Sequence, residues 1–472
     1  MPLHYLKPSI YDKLYLRDFT KGFETMKVVV IGGVAAGMSA ASKLKRHQPD
    51  TEIIVYEYGE DLSYGACGMP YYISDLIPNE KALIARTKSE FKKRGIDVKT
   101  SHEVIGVDPG KKRVSVKDLK TNETFSIEFD KLIIASGASA IRLPVKGKES
   151  KRIKVLSSLE DARELKQVLT QNPVKNVAVI GGGFIGVEMV ENLVEMGINA
   201  HLIEMQDQVL PGYDKDMMDH VQTHLEKKGV TLHLSQTVSQ YETDGEAITV
   251  HTDQHKINVD YVIEAIGVKP NTAFLEGSGI KRIKNGAVLV NDKNETSHQD
   301  IYSAGDCASV YHRLKDSYEA YIPLGTHANK AGRIIAEQLS GKNERFKGVI
   351  GSSILKAFDL TVAKTGLTEK EAKNLNFNYG TITVKVANQA GYYPGAKPIH
   401  IKVIYDQETC VIKGAQMVGE KGIEGRINIF ASIIWNENTA KEVSGMDLAY
   451  APPFSPVWDS IQIATNQIKC RR

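Results

Sequence analysis

The chain has 472 residues, 42% of them hydrophobic and 25% charged, which is ordinary for a globular protein of about three domains. Its 60 Lys and Arg nearly balance 57 Asp and Glu, so the net charge of +3 gives no sign of a nucleic-acid or membrane partner. No apolar run reaches the roughly 18 to 20 residues that a membrane span needs.

The four cysteines, Cys67, Cys307, Cys410 and Cys470, are far apart in the sequence. Their spacing excludes a C-x-x-C site, so no metal site is predicted, and it argues against a disulfide framework. We therefore expect a cytoplasmic protein. Cys307 is expected at a helix start, Cys410 in a surface hairpin and Cys470 in a frayed tail.

Residues 1–25 lack the apolar core of a signal peptide. Met26 leads directly into a buried-strand pattern and is the expected natural start. We interpret residues 1–25 as an extension, disordered or derived from a vector, with a short regulatory arm as the alternative.

The first chemical motif is the segment MKVVVIGGVAAG, residues 26–37. An apolar strand ends in a glycine turn that opens a helix, which is the context of a dinucleotide-binding fingerprint. The free N–H groups of the helix would hold a pyrophosphate, and Glu57, at the end of the next strand, would accept from the ribose. Val34 replaces the middle glycine of the fingerprint. The predicted contacts are Gly32, Gly33, Ala36, Gly37 and Glu57.

The second motif, NVAVIGGGFIG at residues 176–186, carries the complete fingerprint. Glu204 ends the next strand, where a carboxylate accepts from a free 2′-hydroxyl and repels a 2′-phosphate. NADH is therefore expected to be preferred, with NADPH possible. The predicted contacts are Gly181, Gly183, Phe184, Ile185, Gly186, Glu188, Glu204 and Gly267.

Two such motifs about 150 residues apart suggest one site for FAD and one for NAD(P)H. Strands LIIASG and VIEAIG, ending at Gly137 and Gly267, would return the chain past each nucleotide. The first of them adds Ser136 and Gly137 to the FAD contacts. Strand IYSAGD would deliver Asp306 to a glycine turn at a helix start, where it would accept a hydrogen bond from the flavin ribityl chain.

With all these motifs in order from Met26 onward, the chain resembles the pyridine nucleotide–disulfide oxidoreductase superfamily. The resemblance implies an α/β fold with two Rossmann-like domains and a C-terminal α+β dimerisation domain. The implied FAD domain is discontinuous, at 26–144 and 273–345. The implied NAD(P)H domain covers 145–272, and the dimerisation domain covers 346–472.

Glutathione-reductase-like members of this superfamily carry a C-x4-C pair, whereas the corresponding segment here, SYGACGMPYYI at 63–73, has Cys67 alone. A lone cysteine beside a flavin must work through an external sulfur or oxidant. Cys67 precedes a predicted helix over 70–76, whose free N–H groups are expected to lower its pKa.

The segment from Ser63 to Tyr71 most resembles the coenzyme A disulfide reductase branch, which traps CoA as a mixed disulfide on one cysteine. The resemblance extends to GYYPG (391–395) and AYAPPFSPVW (449–458). It implies that Tyr392 and Tyr450 reach the active site of the other subunit of a homodimer. It also implies CoA contacts by Arg46, Ser63 and Tyr64. Ala66 stands where that branch often has Asn, which removes one polar contact.

The predicted activity is therefore reduction of CoA disulfide by NAD(P)H through FAD and Cys67. The first alternative is a persulfide or polysulfide reductase. Some relatives carry a fused rhodanese domain for that role, which we do not expect here because the sequence ends at Arg472. An NADH oxidase or peroxidase would cycle Cys67 through a sulfenic acid, but the first glycine loop lacks the His of those relatives. An electron-transfer flavoprotein with a protein partner would need no cysteine at the flavin.

Overall fold

The computed structural model describes residues 25–171, 173–245 and 247–470. The extension predicted for residues 1–25 lies outside the described residues, apart from Thr25. Within the described ranges, helices are too short or too polar to cross a membrane.

The first unit is a parallel five-stranded sheet with the order β18-β7-β1-β2-β3. Its strands are β1 (Lys27–Ile31), β2 (Glu52–Tyr56), β3 (Ile96–Lys99), β7 (Lys131–Ile134) and β18 (Ile301–Ser303). β-Branched side chains fill both faces, as expected for a parallel sheet covered on both sides. One face packs on helices α1 (Ala35–His47) and α7 (Gly325–Leu339). The other packs on an antiparallel sheet of β4 (His102–Asp108), β5 (Arg113–Asp118) and β6 (Thr124–Glu128).

The second unit repeats this plan with the parallel order β12-β11-β10-β16-β9. Its strands are β9 (Ile153–Val155), β10 (Asn176–Ile180), β11 (Asn199–Ile203), β12 (Thr231–His233) and β16 (Tyr261–Glu264). One face packs on α4 (Leu159–Gln171), α5 (Phe184–Glu195) and α6 (Lys215–Lys227). The other packs on β13 (Val238–Asp244), β14 (Ala247–Thr252) and β15 (Lys256–Val259).

The third unit is an antiparallel sheet with the order β21-β22-β25-β24-β23. Its strands are β21 (Ser353–Ala357), β22 (Leu360–Gly366), β23 (Tyr379–Ala387), β24 (Pro398–Asp406) and β25 (Ile412–Gly419). Its helices are α8 (Glu369–Asn374), α9 (Ile423–Trp435), α10 (Ala440–Ser444) and α11 (Ser460–Thr465). The predicted fold class, two Rossmann-like units and a C-terminal α+β unit, is confirmed.

Short elements complete the chain between these units. They are α2 (Met69–Ile73), α3 (Lys88–Lys93), the antiparallel pair β8 (Ala138–Ala140) and β17 (Val268–Pro270), and the pair β19 (Val310–His312) and β20 (Ser317–Ala320). The helix expected at Asp306 and Cys307 is wrong: a turn there leads into β19, and Cys307 is fully buried.

The expectation drawn from the cysteine spacing is also wrong, because Cys410 and Cys470 form a disulfide with their Cα atoms 5.9 Å apart. Sixty residues separate them, but the turn between β24 and β25 meets the C-terminal segment on the core of the third unit. Sequence spacing does not report this proximity. The disulfide removes the cysteine argument for a cytoplasmic location, which stays a prediction.

Candidate active site

The two glycine turns have the same construction. Gly32 and Gly181 have φ near +103° and +104°, where a side chain would overlap the backbone of Ala135 or Ala265. A side chain on Gly37 or Gly186 would overlap the carbonyl oxygen of the turn's first glycine. These positions therefore require glycine for the fold itself.

Gly183 differs, because a Cβ there would meet no protein atom within 4 Å. It is the N-cap of α5, and it leaves open space in front of the helix N-terminus. A dinucleotide pyrophosphate needs this close approach to backbone N–H groups. Val34 takes the equivalent place before α1.

Glu57 and Glu204 each accept a hydrogen bond from the glycine turn of the same unit. Glu57 accepts hydrogen bonds from the N–H groups of Gly33 (2.6 Å) and Gly59 (2.8 Å). Glu204 accepts from Gly182 (2.7 Å) and Gln206 (2.8 Å). A carboxylate oxygen has a second lone pair, so each can still accept from a ribose hydroxyl.

The remaining predicted nucleotide contacts lie around these turns. Ser136 donates from its hydroxyl to the Asn271 carbonyl at 2.6 Å, so its hydrogen is engaged and its oxygen can still accept. Gly137 and Gly267 have φ of +67° and +112°. Ala36 is buried in the α1–α7 contact, where a side chain on Gly332 would overlap its carbonyl.

Two hydrophobic residues open helix α5. Phe184 is exposed and packs edge-on to Tyr213, with ring centroids 6.3 Å apart, while Ile185 is partly buried.

Cys67 is exposed in a 3₁₀ turn, Ala66–Gly68, that leads into α2. Its pKa is raised, by partial burial of the sulfur and then by the nearby carboxylates of Glu188 and Asp306. The expected lowering of this pKa is therefore wrong, because the sulfur is partly buried, two carboxylates from distant segments raise the pKa further, and α2 is only five residues long. These electrostatic interactions show that Cys67, Glu188 and Asp306, from three separate segments, are neighbours in the fold.

Glu188 carries the most unusual carboxyl of this region. Burial and the neighbouring Glu191 raise its pKa to about 7, although Tyr71 hydrogen-bonds to it and favours the charged form. Glu191 is itself buried and pairs with Lys356 of β21, while its Oε2 has no protein partner. Burial likewise raises the pKa of Asp306.

The segment that carries Cys67 is anchored on both sides. Ser63 has a φ of +47°, its N–H donates to the Gly33 carbonyl at 2.9 Å, and its carbonyl accepts from Ala85 at 2.8 Å. Burial, then Glu57 and Asp61, raise the pKa of Tyr64 to about 12. Arg46 is exposed in the last turn of α1, about 16 Å along the helix from the glycine turn.

Sequence reasoning missed a second anchor, made by helix α4. Arg163 binds both oxygens of Asp61 at 2.7 and 2.8 Å, and it binds Glu80 at 2.6 Å. One turn later, Lys166 pairs with Asp75 at 2.5 Å. Ion pairs thus connect the second unit to the segment of the first unit that carries Cys67. No local sequence motif predicts this connection.

Tyr392 and Tyr450 lie on separate loops of the third unit, and their phenol oxygens are 3.0 Å apart. They are 76% and 44% exposed and lie in a region of the chain with further exposed apolar side chains: Tyr393, Phe454, Val457 and Trp458. Exposed apolar side chains in this number are typical of a surface that binds a partner.

The sequence matches the pyridine nucleotide-disulphide oxidoreductase family over residues 26–332 and the dimerisation domain of that family over 353–460. It is 36% identical to the coenzyme A disulfide reductase of Staphylococcus aureus (strain COL), over 94% of this chain and all of that one.

Two solved structures are similar throughout. The reduced Bacillus anthracis CoADR-RHD has a TM-score of 0.91 and 36% identity, covering 94% of this chain and 80% of that one. The NAD-dependent persulfide reductase from A. fulgidus has a TM-score of 0.90 and 34% identity, covering 93% and 82%. With its two glycine turns, its exposed Cys67 and these relatives, the chain belongs to the pyridine nucleotide-disulphide oxidoreductase family, whose members use FAD and NAD(P)H.

Proposed function

We propose that the protein reduces CoA disulfide with NADH, using Cys67 as the redox sulfur. The Cys67 thiolate attacks CoA disulfide, forming Cys67–S–S–CoA and releasing one CoA thiolate. Two electrons from NADH then cleave the mixed disulfide to the Cys67 thiolate and a second CoA thiolate. With one proton taken up, NADH and CoA disulfide become NAD⁺ and two CoA thiols.

The observation that carries this proposal is the position of Cys67. It is exposed, whereas Cys307 is buried and Cys410 is bonded to Cys470, so it is the cysteine available for exchange with an external disulfide. Glu188 and Asp306, from the two units with glycine turns, both interact electrostatically with its sulfur and raise its pKa, after burial.

The residues present fit both nucleotides. The turn at Gly32–Gly37 with Glu57, Ser136, Gly137 and Asp306 would hold FAD, and the turn at Gly181–Gly186 with Glu204 and Gly267 would hold NADH. When bound, FAD supplies a two-electron path from the nicotinamide hydride to the sulfur. Strand β18 completes the first sheet from a later segment, which supports an FAD domain split between 26–144 and 273–345.

The tyrosine pair supports a site shared between the subunits of a homodimer. The loops of Tyr392 and Tyr450 belong to the region that matches the dimerisation domain, and both phenols are exposed in one chain. Placed against the partner's Cys67 by a dimer axis, the pair would donate a hydrogen bond and a proton to the departing CoA thiolate. Ser63, Tyr64 and Arg46 would contact the CoA.

The direct test is mass spectrometry of the protein before and after NADH. We expect an adduct of about 765 Da on Cys67, from CoA in mixed disulfide linkage, that NADH removes with release of one thiol. An adduct on another residue, or thiol release with Cys67 unmodified, would contradict the proposal.

A second candidate, persulfide reduction, is favoured by the similarity to the A. fulgidus persulfide reductase. It uses the same sulfur with a smaller substrate. Comparing kcat/KM for CoA disulfide and for CoA persulfide on the same preparation decides between the two. The oxidase alternative predicts NADH consumption with oxygen alone, through a Cys67 sulfenic acid.

A further inference from the structure

The two tyrosines of the proposed site stand on loops without regular structure. The tyrosine loops are residues 388–397, between β23 and β24, and residues 445–459, between α10 and α11. They contact each other through the phenol pair and through one backbone hydrogen bond, from Ala390 N–H to the Pro452 carbonyl at 3.1 Å. These two bonds alone do not explain how long, exposed loops meet in register.

A buried arginine beneath them supplies the missing connection. Arg426 of α9 is 6% exposed, and one of its terminal nitrogens donates to Asn388 O of the first loop (3.0 Å) and Phe454 O of the second (3.2 Å). Its other terminal nitrogen donates to Gly422 O at 2.9 Å. The guanidinium is thus shared between both tyrosine loops and the start of their supporting helix.

The charge of Arg426 is balanced by Asp459, at the end of the second tyrosine loop. Asp459 accepts from the Arg426 Nε at 3.0 Å and from a terminal nitrogen at 2.8 Å, and it also accepts from the Ser455 hydroxyl at 2.9 Å. It caps α11 by accepting from the Ile461 N–H at 2.9 Å. Breaking either side of this buried pair would leave an unpaired buried charge, so Arg426 and Asp459 are costly to separate.

We propose that Arg426 is a positioning residue for the proposed active site: it sets the separation of the two tyrosine loops at which the phenols of Tyr392 and Tyr450 meet. This rests on the proposed function, in which that pair assists thiolate departure. A lysine could not replace it, because an ammonium carries its three donors on one atom. The guanidinium has donors on three nitrogens and reaches acceptors on three sides.

The structure offers a way to displace the guanidinium without changing Arg426 itself, although a side chain at residue 422 also strains the backbone. Gly422 has a φ of +83°, and an added Cβ would lie 2.5 Å from the Arg426 terminal nitrogen. Gly425, on the same helix, would place a Cβ in open space. Gly422→Ala is therefore the test variant, and Gly425→Ala is the control for an added methyl group on the same helix. Arg426→Lys is a second, stronger change that leaves the backbone at Gly422 unaltered.

The experiment is a double-mutant cycle on the holoenzyme with CoA disulfide as substrate. We expect Gly422→Ala and Arg426→Lys to slow thiol release about tenfold, with flavin reduction by NADH within about twofold of wild type. When either change is added to the double variant Tyr392→Phe, Tyr450→Phe, thiol release should slow by less than about a further twofold. The two phenol groups that Arg426 positions are already missing from that variant. Gly425→Ala should behave as wild type.

Three results would overturn the proposal. One is a full multiplicative loss in the combined variants, which marks a general structural role. Another is normal thiol release in both Gly422→Ala and Arg426→Lys while the double phenylalanine variant is slow, which leaves the proposed function standing. The third is normal thiol release in the double phenylalanine variant, which removes the tyrosine role itself and Arg426's role with it.

Discussion

The phenol oxygens of Tyr392 and Tyr450 form a 3.0 Å hydrogen bond across two loops, although 58 residues separate them. If this pair assists the departing thiolate, Tyr392→Phe with Tyr450→Phe should slow CoA release by about 10²-fold, the usual scale for lost general-acid help. Flavin reduction should stay fast, since the tyrosines take no part in hydride transfer. Stopped-flow absorbance alongside thiol release measures both steps.

Tyr393→Phe is the matched control for that double change. Tyr393 is a partly exposed neighbour on the same loop, outside the phenol pair, so its variant should release thiol at the wild-type rate. Equal losses in the control and the double variant would make these tyrosines interface residues without a chemical role.

Cys67→Ser should bind FAD normally and accept electrons from NADH, but it should lose CoA-disulfide reduction. A hydroxyl cannot form the mixed disulfide. Cys307→Ser should keep its activity, because Cys307 is fully buried. The measurement is NADH oxidation that depends on CoA disulfide, and activity surviving in Cys67→Ser would refute the assignment.

The carboxylates around Cys67 predict the pH dependence of its alkylation. Glu188, whose pKa is about 7, is charged above neutral pH and raises the Cys67 pKa, so Glu188→Gln should move the alkylation midpoint of the reduced enzyme to lower pH. Glu195→Gln, on the exposed end of the same helix, should leave the midpoint unchanged. Iodoacetamide rates followed by mass spectrometry give both midpoints, and a shift upward would contradict this electrostatic account.

Glu204 predicts the nucleotide preference. A 2′-phosphate beside its carboxylate should make kcat/KM favour NADH by about tenfold or more. Glu204→Gln should narrow that ratio, whereas Glu57→Gln, the equivalent change in the other turn, should leave it unaltered. A wild-type preference for NADPH would show that the 2′-phosphate does not lie against Glu204.

Because Cys410 and Cys470 form a disulfide, we expect a reductant to lower the free energy of unfolding. Closing a loop of 60 residues stabilises the fold by up to about 4 kcal/mol in the chain-entropy description. Cys410→Ser, Cys470→Ser and the double variant should therefore lose the same free energy of unfolding, as should wild type with dithiothreitol. Unequal losses among these four would mean that side-chain packing, and not the bond, is responsible.

Local patterns were enough to predict the two glycine turns, because a strand, a turn and a helix are adjacent in sequence. They also placed Glu57 and Glu204 at strand ends, but not their bonds to Gly33 and Gly182, which depend on how the turn folds back. The Cys67 pKa was predicted with the wrong sign, because the burial that raises it most is set by the tertiary structure. Glu188 and Asp306, which raise it further, lie 121 and 239 residues away in sequence. The roles of Arg163 and Arg426 were not predicted either, because they depend on partners that are distant in sequence.

The closed loop from Cys410 to Cys470 contains Arg426, Tyr450 and Asp459. A protease that nicks an exposed part of the loop, for example near Phe454, would therefore leave both fragments covalently attached. Such a nicked chain would migrate as one band on a gel run without reductant and as two bands with it. Proteolysis by itself would not free the C-terminal segment from the body of the protein.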